Sequence, residues 1–429
     1  MKCKQVLLLA AVLAVAPSLS WGSGFALFEH GNRAMAMGGA FTAVADDPSA
    51  LFWNPAGMAF QVDEGIQLMT GVTFIMTSQD FVGEAPYPGE GYSAAQKSQV
   101  FFPPHFYFAY PVNERLVLSA VAMTPFGLGT WWEDDFAGRF ISKRADIKLI
   151  DLGVSMAYKL SDAVAVSIGV DYMIGTIDLT RNIGLVNPFN QRLSDVAQAH
   201  LYTDGLGNSD FAWNASLLWK LGGGFSVGGL YRSGFSINYE GFGSFTQFGT
   251  GYPEFDAVVG SLIPFDHNVP ITTAIDFPDF WSLGLAWSNE KWTFSGQIGS
   301  MGWSSFDELP LIFPENPEFS TTVREDYTDA DQYRLGLEYR ATERWAFQLG
   351  YLFDETGQPV ESMSPLLGDG DRDGYSAGIS WISDWLRIDL GYMYLSLETR
   401  STSGNSFDGY NGTYSGDAHL AGATFTFNF

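Results

Sequence analysis

Tyr333-Arg-Leu-Gly-Leu-Glu-Tyr-Arg-Ala-Thr-Glu-Arg-Trp-Ala-Phe-Gln-Leu-Gly-Tyr-Leu-Phe353 holds two period-two runs separated by a short polar turn. In the first run Tyr333, Leu335, Leu337 and Tyr339 share one face, and Arg334, Gly336, Glu338 and Arg340 share the other. In the second, every odd position from Trp345 to Phe353 is large and apolar. Side chains of a strand alternate between its faces, so each run reads as a strand with two different environments. Together they read as a hairpin.

The same unit recurs outward in both directions. Short polar turns fall at 112–115, 160–163, 221–224, 288–291, 340–344 and 383–384. Longer polar or Gly/Pro-rich stretches fall near 81–97, 127–144, 182–208, 242–270, 306–326, 355–371 and 400–415. Six short turns alternating with seven long loops separate fourteen strands. An even count, with short turns at one rim and long loops at the other, is the pattern of bacterial outer-membrane barrels. A soluble β-propeller would need a blade-length repeat, which the sequence does not contain. Trp219, Trp281, Trp292, Trp303, Trp381 and Trp385 near strand ends suit interfacial girdles. The expected fold is all-β, a 14-stranded antiparallel transmembrane barrel over residues 64–429.

Composition agrees. The 429 residues are 46% hydrophobic and 16% aromatic with 48 glycines, yet beyond the N-terminus no apolar run reaches helix-spanning length. Residues 1–22 read as an export signal, with Lys2 and Lys4 before the apolar stretch Val6–Ala16, so the mature chain is expected to begin at Ser23. The only cysteine, Cys3, lies in that signal. Removing the two lysines takes the net charge from −26 to −28, which argues against nucleic acid as a partner. Outer-membrane lipid and lipopolysaccharide are the expected surroundings. Phe429, closing an aromatic last strand, is the expected contact for the barrel-assembly machinery.

Residues 23–63 do not alternate and carry Gly24, Gly31, Gly38 and Gly39. A barrel of this size has a lumen that strand side chains cannot fill, so this segment is expected to form a hatch inside it. Within the hatch, Asp47 is placed to cap a helix and Pro48 to occupy its first position. Phe52 and Trp53 make its apolar turn. Asn54-Pro55 then stops the helix, and Ala56-Gly57 is expected to turn the chain.

At these residues the chain resembles the FadL/TodX-type outer-membrane transporters of long-chain fatty acids and hydrocarbons. The likeness rests on Ser23-Gly-Phe-Ala-Leu-Phe-Glu29, Ala45-Asp-Asp-Pro-Ser-Ala50, Asn54-Pro55-Ala56 and Thr124-Pro-Phe-Gly-Leu-Gly-Thr-Trp131. It implies a hatch-plugged barrel with a lateral gap at a kinked third strand. It also implies passive uptake from an outer apolar groove, through a pocket at the hatch N-terminus (Ser23, Gly24, Phe25), and out through the wall. Phe52, Trp53, Asn54, Pro55 and Ala56 would then belong to the hatch gate.

Proline cannot donate to a sheet ladder, so Thr124, Pro125, Phe126 and Gly127 are read as the end of the third strand and a gate. An ordinary strand end is the plainer alternative. In the two longest loops, Gln191–Tyr202 and Pro253–Leu262 have amphipathic helical spacing. Leu185, Phe189, Leu193, Val196, Phe255, Val258, Val259 and Leu262 are candidates for an outer ligand groove. Arg139, Arg144, Arg181, Arg232 and Arg334 are candidate partners for a ligand carboxylate, with the many acidic residues as competitors. Fatty acid and neutral hydrocarbon both stay open.

Gly374-Tyr-Ser-Ala-Gly378 fits a serine-hydrolase pattern, but Ser376 lies in an alternating strand and not in a strand-to-helix elbow. Asp369-Gly-Asp-Arg-Asp-Gly374 begins like a calcium loop, yet Ser380 stands where the bidentate Glu belongs. It reads as an acidic loop tip. The five histidines are scattered. No cofactor, metal or enzymatic activity is expected. The rival classes are an outer-membrane lipid hydrolase and a structural or adhesive barrel.

Overall fold

The computed structural model describes residues 24–203 and 207–429. The export signal, Cys3 and Ser23 lie outside these residues. The barrel strands are β1 (Gln67–Gly83), β2 (Pro104–Asn113), β3 (Leu116–Trp131), β4 (Arg144–Lys159), β5 (Val164–Asn187), β6 (Ser209–Gly222) and β7 (Phe225–Arg232). They continue as β8 (Phe280–Ser288), β9 (Trp292–Met301), β10 (Ala330–Arg340), β11 (Trp345–Asp354), β12 (Arg372–Ile382), β13 (Leu386–Ser401) and β14 (Gly412–Asn428). Each pairs antiparallel with the next, and β1 closes on β14 from Gln67↔Asn428 to Gly83↔Gly412. Closing β1 on β14 removes the two open edges a flat sheet of these strands would present to lipid. The chain is a 14-stranded antiparallel barrel.

The alternation that identifies the strands also sorts their environments. Along β4, Ile150, Leu152, Val154 and Met156 are exposed on the outer wall, while Leu149, Asp151 and Ala157 are buried inside. Along β10, Leu335 faces out, and Arg334 and Glu338 are buried in the lumen. All six short turns fall between consecutive strands. Trp219, Trp281, Trp292 and Trp385 are exposed on the outer surface, but Trp303 is fully buried in the lumen and is no girdle residue.

The long loops differ from expectation on one side. Strand β5 has 24 residues, about twice the ~10 a tilted membrane-spanning strand needs. Its outer half pairs with Arg192–Thr203, and that segment pairs in turn with Phe235–Gln247. Phe235–Gln247 pairs onward with Val269–Phe277. Much of 182–208 is therefore sheet projecting beyond the membrane, and Gln191–Tyr202 is not a helix. Its apolar residues have a neighbouring strand to cover them, which favours extended backbone over a solvated helix.

Residues 24–64 contribute no barrel strand. They form α1 (Asn32–Ala36), α2 (Ala50–Trp53) and the 3-10 turns Pro55–Phe60 and Val62–Glu64. Helix α2 starts later than the sequence suggests, with Ser49 at its N-cap. Asp47 instead accepts hydrogen bonds from Ser49 N (2.9 Å) and Ser49 Oγ (2.6 Å). Asn54 ends α2 as expected, but its Oδ1 caps the following 3-10 helix through Ala56 N (3.2 Å), so no turn forms at Ala56-Gly57.

This segment is fastened to the inner wall by charge and close approach. Arg33 is paired with Glu338 (2.7 Å), Asp47 (3.1 Å) and Asp46. Arg334 is paired with Asp354 (2.8 Å) and donates to Gly38 O (3.2 Å). Ser376 Oγ accepts from Gly38 N (3.1 Å) and donates to Ala36 O (3.0 Å). A Cβ on Gly350 would stand 2.0 Å from Gly38 N, so only glycine admits this contact. Glu338→Ala leaves Arg33 buried without its wall partner, a change that costs about 3–5 kcal/mol. Amide exchange in 32–36 and 46–54 should therefore accelerate, while the β1–β14 ladder keeps its protection.

Candidate functional site

Strand β3 does not end at Thr124–Gly127; it bulges there and runs on to Trp131. Its ladder with β4 passes from Met123↔Asp151 to Phe126↔Leu149, so Thr124 and Pro125 both oppose Ile150. That is a bulge, and bulges bend the strand that carries them. On the other flank, pairing with β2 stops at Phe106↔Ala122. The next backbone hydrogen bond described between the two sides is Lys97 N to Trp131 O, 2.7 Å. Between these points the described wall has no backbone ladder.

Residues 25–27 stand at this break. Leu27 N donates to Pro125 O (2.8 Å), Gly127 N donates to Phe25 O (3.0 Å), and Ala26 bridges Phe126. Phe25 sits among Trp303 (ring centroids 4.8 Å), Phe306 (5.8 Å), Phe277 (6.0 Å) and Phe126 (6.2 Å). Gly24, at φ +50°, lies so close to Trp303 that a Cβ would fall 2.6 Å from its ring. Asp369 Oδ2 accepts from Gly24 N (3.0 Å) and pairs through its other oxygen with Arg372 (2.8 Å). Asp369 is buried, so the acidic stretch after 369 is no exposed loop tip; it folds inward to hold the chain at Gly24. Nothing in the sequence marks Trp303, Asp369 or Arg372 for these roles.

A cavity of about 40 Å³ lies next to the break, lined by Leu27, Phe52, Pro125, Phe126, Met173 and Arg232 among others. It has room for a few water molecules. Arg232 is its notable polar group. Its Nη2 donates to Phe52 O (2.6 Å), and its guanidinium lies 4.6 Å from the Phe52 ring centroid. Its Nε is buried and makes no hydrogen bond. Asp171 also lines the cavity but is held by Asn214 Nδ2 (2.8 Å). His30 stacks on Phe52 at 4.1 Å. Burial, reinforced by His105 and Arg232, pushes the His30 imidazole well below its usual range, so it is neutral near pH 7.

The other candidate arginines divide cleanly. Arg139 is held by Asp195 (3.0 Å), Arg144 by Asp146 (3.8 Å) and Arg334 by Asp354 (2.8 Å). Arg181 and Arg232 have no carboxylate within ion-pair distance among the described residues. Of the hatch residues singled out in sequence, only Phe52 lines the cavity. Trp53 donates to His30 O (2.9 Å), while Asn54 and Ala56 bond to Leu217 O and Ser216 Oγ of β6, with Pro55 buried between them. Thr124 and Gly127 flank the cavity without lining it.

Outside the membrane, α3 (Pro253–Leu262) forms as expected. Val196, Phe255 and Val259 are buried and pack α3 onto the projecting sheet, and Leu185 is partly covered. Phe189, Leu193, Val258 and Leu262 remain exposed, with Phe189 stacked on Tyr252 at 5.5 Å. A second cavity, of about 470 Å³, lies beneath the hairpin of Glu308–Leu311 and Thr321–Arg324. Beside it, Glu325 is pushed up to about 8 by burial, with Asp408 and Asp326 adding to the effect. Ser376, spent on hatch backbone, is not arranged as a nucleophile.

The sequence profile of the Outer membrane protein transport protein (OMPP1/FadL/TodX) family matches residues 13–429. The chain belongs to this family. Among family relatives, the "Long-chain fatty acid transport protein" of Escherichia coli O6:H1 is 24% identical, with 98% of each chain covered. The "Outer membrane protein P1" of Haemophilus influenzae Rd is 24% identical over 82% of this chain and 81% of its own. A Pseudomonas aeruginosa FadL homologue superposes with a TM-score of 0.79 at 20% identity, covering 96% of this chain and 100% of that one. The Pseudomonas putida toluene transporter TodX gives 0.72 at 17%, covering 95% and 100%. These structures share the fold. As an OMPP1/FadL/TodX protein the chain is an outer-membrane barrel.

Because the folded state holds the Glu325 proton more tightly than the unfolded chain does, its stability falls as pH rises from about 4.5 to about 8 and levels off above that. Amide exchange over 320–328, corrected for intrinsic rates, should speed up between pH 6 and pH 9. Glu325→Gln should flatten that dependence.

Proposed function

We propose that this protein is a passive channel for long-chain monocarboxylates, held by a hatch at residues 24–63 and released through the wall between β2 and β3. The observation that carries this reading is Arg232. A partly buried arginine whose Nε is shielded from solvent and unbonded, at the edge of an otherwise largely apolar cavity, is satisfied by a carboxylate and not by a neutral hydrocarbon. The neighbouring His30 is neutral, so the positive charge rests on the arginine. Full-length likeness to a relative named as a long-chain fatty acid transport protein supports the same choice.

In this reading Phe189, Leu193, Val258 and Leu262 form the outer apolar contact, since each remains exposed on the projecting sheet or α3. Burial of the acyl chain supplies most of the affinity, at roughly 0.8 kcal/mol per CH₂. Phe25–Leu27 closes the wall break by strand-like pairing, and withdrawing it both enlarges the small cavity and frees the passage. Phe52 couples the two, because the same residue lines the cavity and receives the Arg232 hydrogen bond. The concentration gradient drives the flow. Lipopolysaccharide around the outer rim and assembly through the Phe429 strand complete the proposal.

The test is uptake of oleate and of toluene in cells whose own transporter of this kind is deleted. Arg232→Gln should cut oleate uptake about tenfold, the loss of one charge-assisted hydrogen bond, and leave toluene unchanged. Deleting residues 54–56 should alter both. Equal uptake of oleate by the Arg232 variant and the parent would sink the carboxylate reading.

A further inference from the structure

Around the outer end of the barrel wall, the charges that face lipid are mostly negative. Asp80, Asp331, Asp373, Glu398 and Asp417 sit at outward positions in the outer parts of β1, β10, β12, β13 and β14. The arginines at the same level of the wall mostly turn inward. Arg181 lines the larger cavity, Arg372 pairs with Asp369, and Arg400 donates to Gln358 O (2.9 Å) and Asp369 O (3.0 Å).

Among the described strands, β4 is the exception. Arg144 and Lys148 lie on its outward face, in line with the exposed Ile150, Leu152, Val154 and Met156. Arg144 pairs across the ladder with Trp131 of β3, which is exposed on the same side. Lys97, from the stretch between β1 and β2, joins them. Its Nζ lies 4.8 Å from the Trp131 ring centroid, and Arg144 Cζ lies 5.5 Å from it. Two cations therefore share one outward tryptophan, and Lys148 follows two outward positions down β4.

The height of this group on the wall follows from the strand. Tyr158, at the short-turn end of β4, and Lys148 are ten residues apart, about 33 Å of strand or about 25 Å of height at the usual tilt. That is the height of the apolar band of an outer-membrane barrel. Lys148 thus stands at the upper border of the acyl chains, with Trp131, Arg144 and Lys97 at the level of the headgroups, where tryptophan concentrates. The nearby carboxylates leave these cations loosely held. Arg144 reaches Asp146 at 3.8 Å, whereas Lys148 holds it at 2.8 Å. Lys97 pairs at 3.1 Å with Glu133, which is itself mostly exposed, and such surface pairs contribute little.

We infer, on the reading above that lipopolysaccharide surrounds the outer rim, that Lys97 and Arg144 hold one phosphate of a single lipid A molecule beside Trp131. A guanidinium fork and an ammonium group are the side chains that bind phosphate directly. Elsewhere on the outer wall the acidic residues can meet a lipid phosphate only through a bridging divalent cation. The site also has a consequence for the wall. Lys97 N bonds to Trp131 O at the upper end of the break between β2 and β3, so the acyl chains of the anchored glycolipid descend over that break.

The experiment is native mass spectrometry of the purified full-length protein, equilibrated in detergent micelles with bisphosphorylated lipid A in EDTA. Chelation removes the divalent cations that would bridge phosphate to the wall carboxylates, and one lipid A should remain per barrel. Arg144→Gln should weaken its binding about tenfold, the loss of one charge-assisted hydrogen bond. Lys97→Gln combined with Arg144→Gln should abolish it. Lys97→Arg should retain it, and Arg192→Gln, at an exposed position of the projecting sheet, should match the parent. Heat-modifiable migration on gels verifies that each barrel is folded. Equal retention by the parent and the double variant, or of phosphorylated and dephosphorylated lipid A, overturns the inference. Phosphatidylglycerol that displaces lipid A at equal concentration overturns the choice of glycolipid. If the parent binds lipid A with magnesium but keeps none after chelation, this site fails and the lipopolysaccharide rim stands; if it binds none in either condition, both fail.

Discussion

Backbone groups withdrawn from water must find partners, and at the β3 bulge the wall cannot supply them. Thr124 and Pro125 share one opposing residue, and β2 has already left the ladder at Ala122. The partners come from the plug: Phe25 O and Leu27 N take Gly127 N and Pro125 O. An unmet bond here costs on the order of 1–3 kcal/mol, enough to hold the segment. The break in the barrel and the position of the plug are thus one feature.

The plug is clamped from the other side. Glu338 and Arg334 belong to β10, seven strands from β3 in a ring of fourteen, and so diametrically across the lumen. Arg33 and Gly38 lie against that wall, and Ser376 of the nearby strand β12 holds Ala36 and Gly38. Residues 24–27 of the same segment reach the break and are held at Gly24 by Asp369. The segment is thus anchored on the wall opposite the break. Buried ion pairs suit that task because losing either partner strands a charge.

Glycine and proline do much of this positioning for separate reasons. Gly350 lets the plug backbone touch the wall, which a Cβ would prevent. Pro125 cannot extend a ladder, so the strand bends where it stands. The arginines show why residue type alone is insufficient. Arg139, Arg144 and Arg334 have carboxylates beside them, whereas Arg181 and Arg232 line cavities without an ion-pair partner among the described residues.

The sequence alone determined the barrel, its fourteen strands and its short turns, because alternation and turn chemistry are local. Tyr333–Phe353 needs no distant partner to declare a hairpin. It also marked Pro125 as a disruption and Asn54-Pro55 as a helix stop. Tertiary structure decided what local pattern left open. Leu193, Val196 and Ala197 fit helical spacing, but pairing with the outer half of β5 makes them strand. Trp303 looks like a girdle residue until its neighbours place it against Phe25. Whether a bulge ends a strand or bends it, and whether an arginine is paired, depends on residues tens or hundreds of positions away. Periodicity reports which face is apolar; only closure of the barrel around residues 24–64 determines what each face meets.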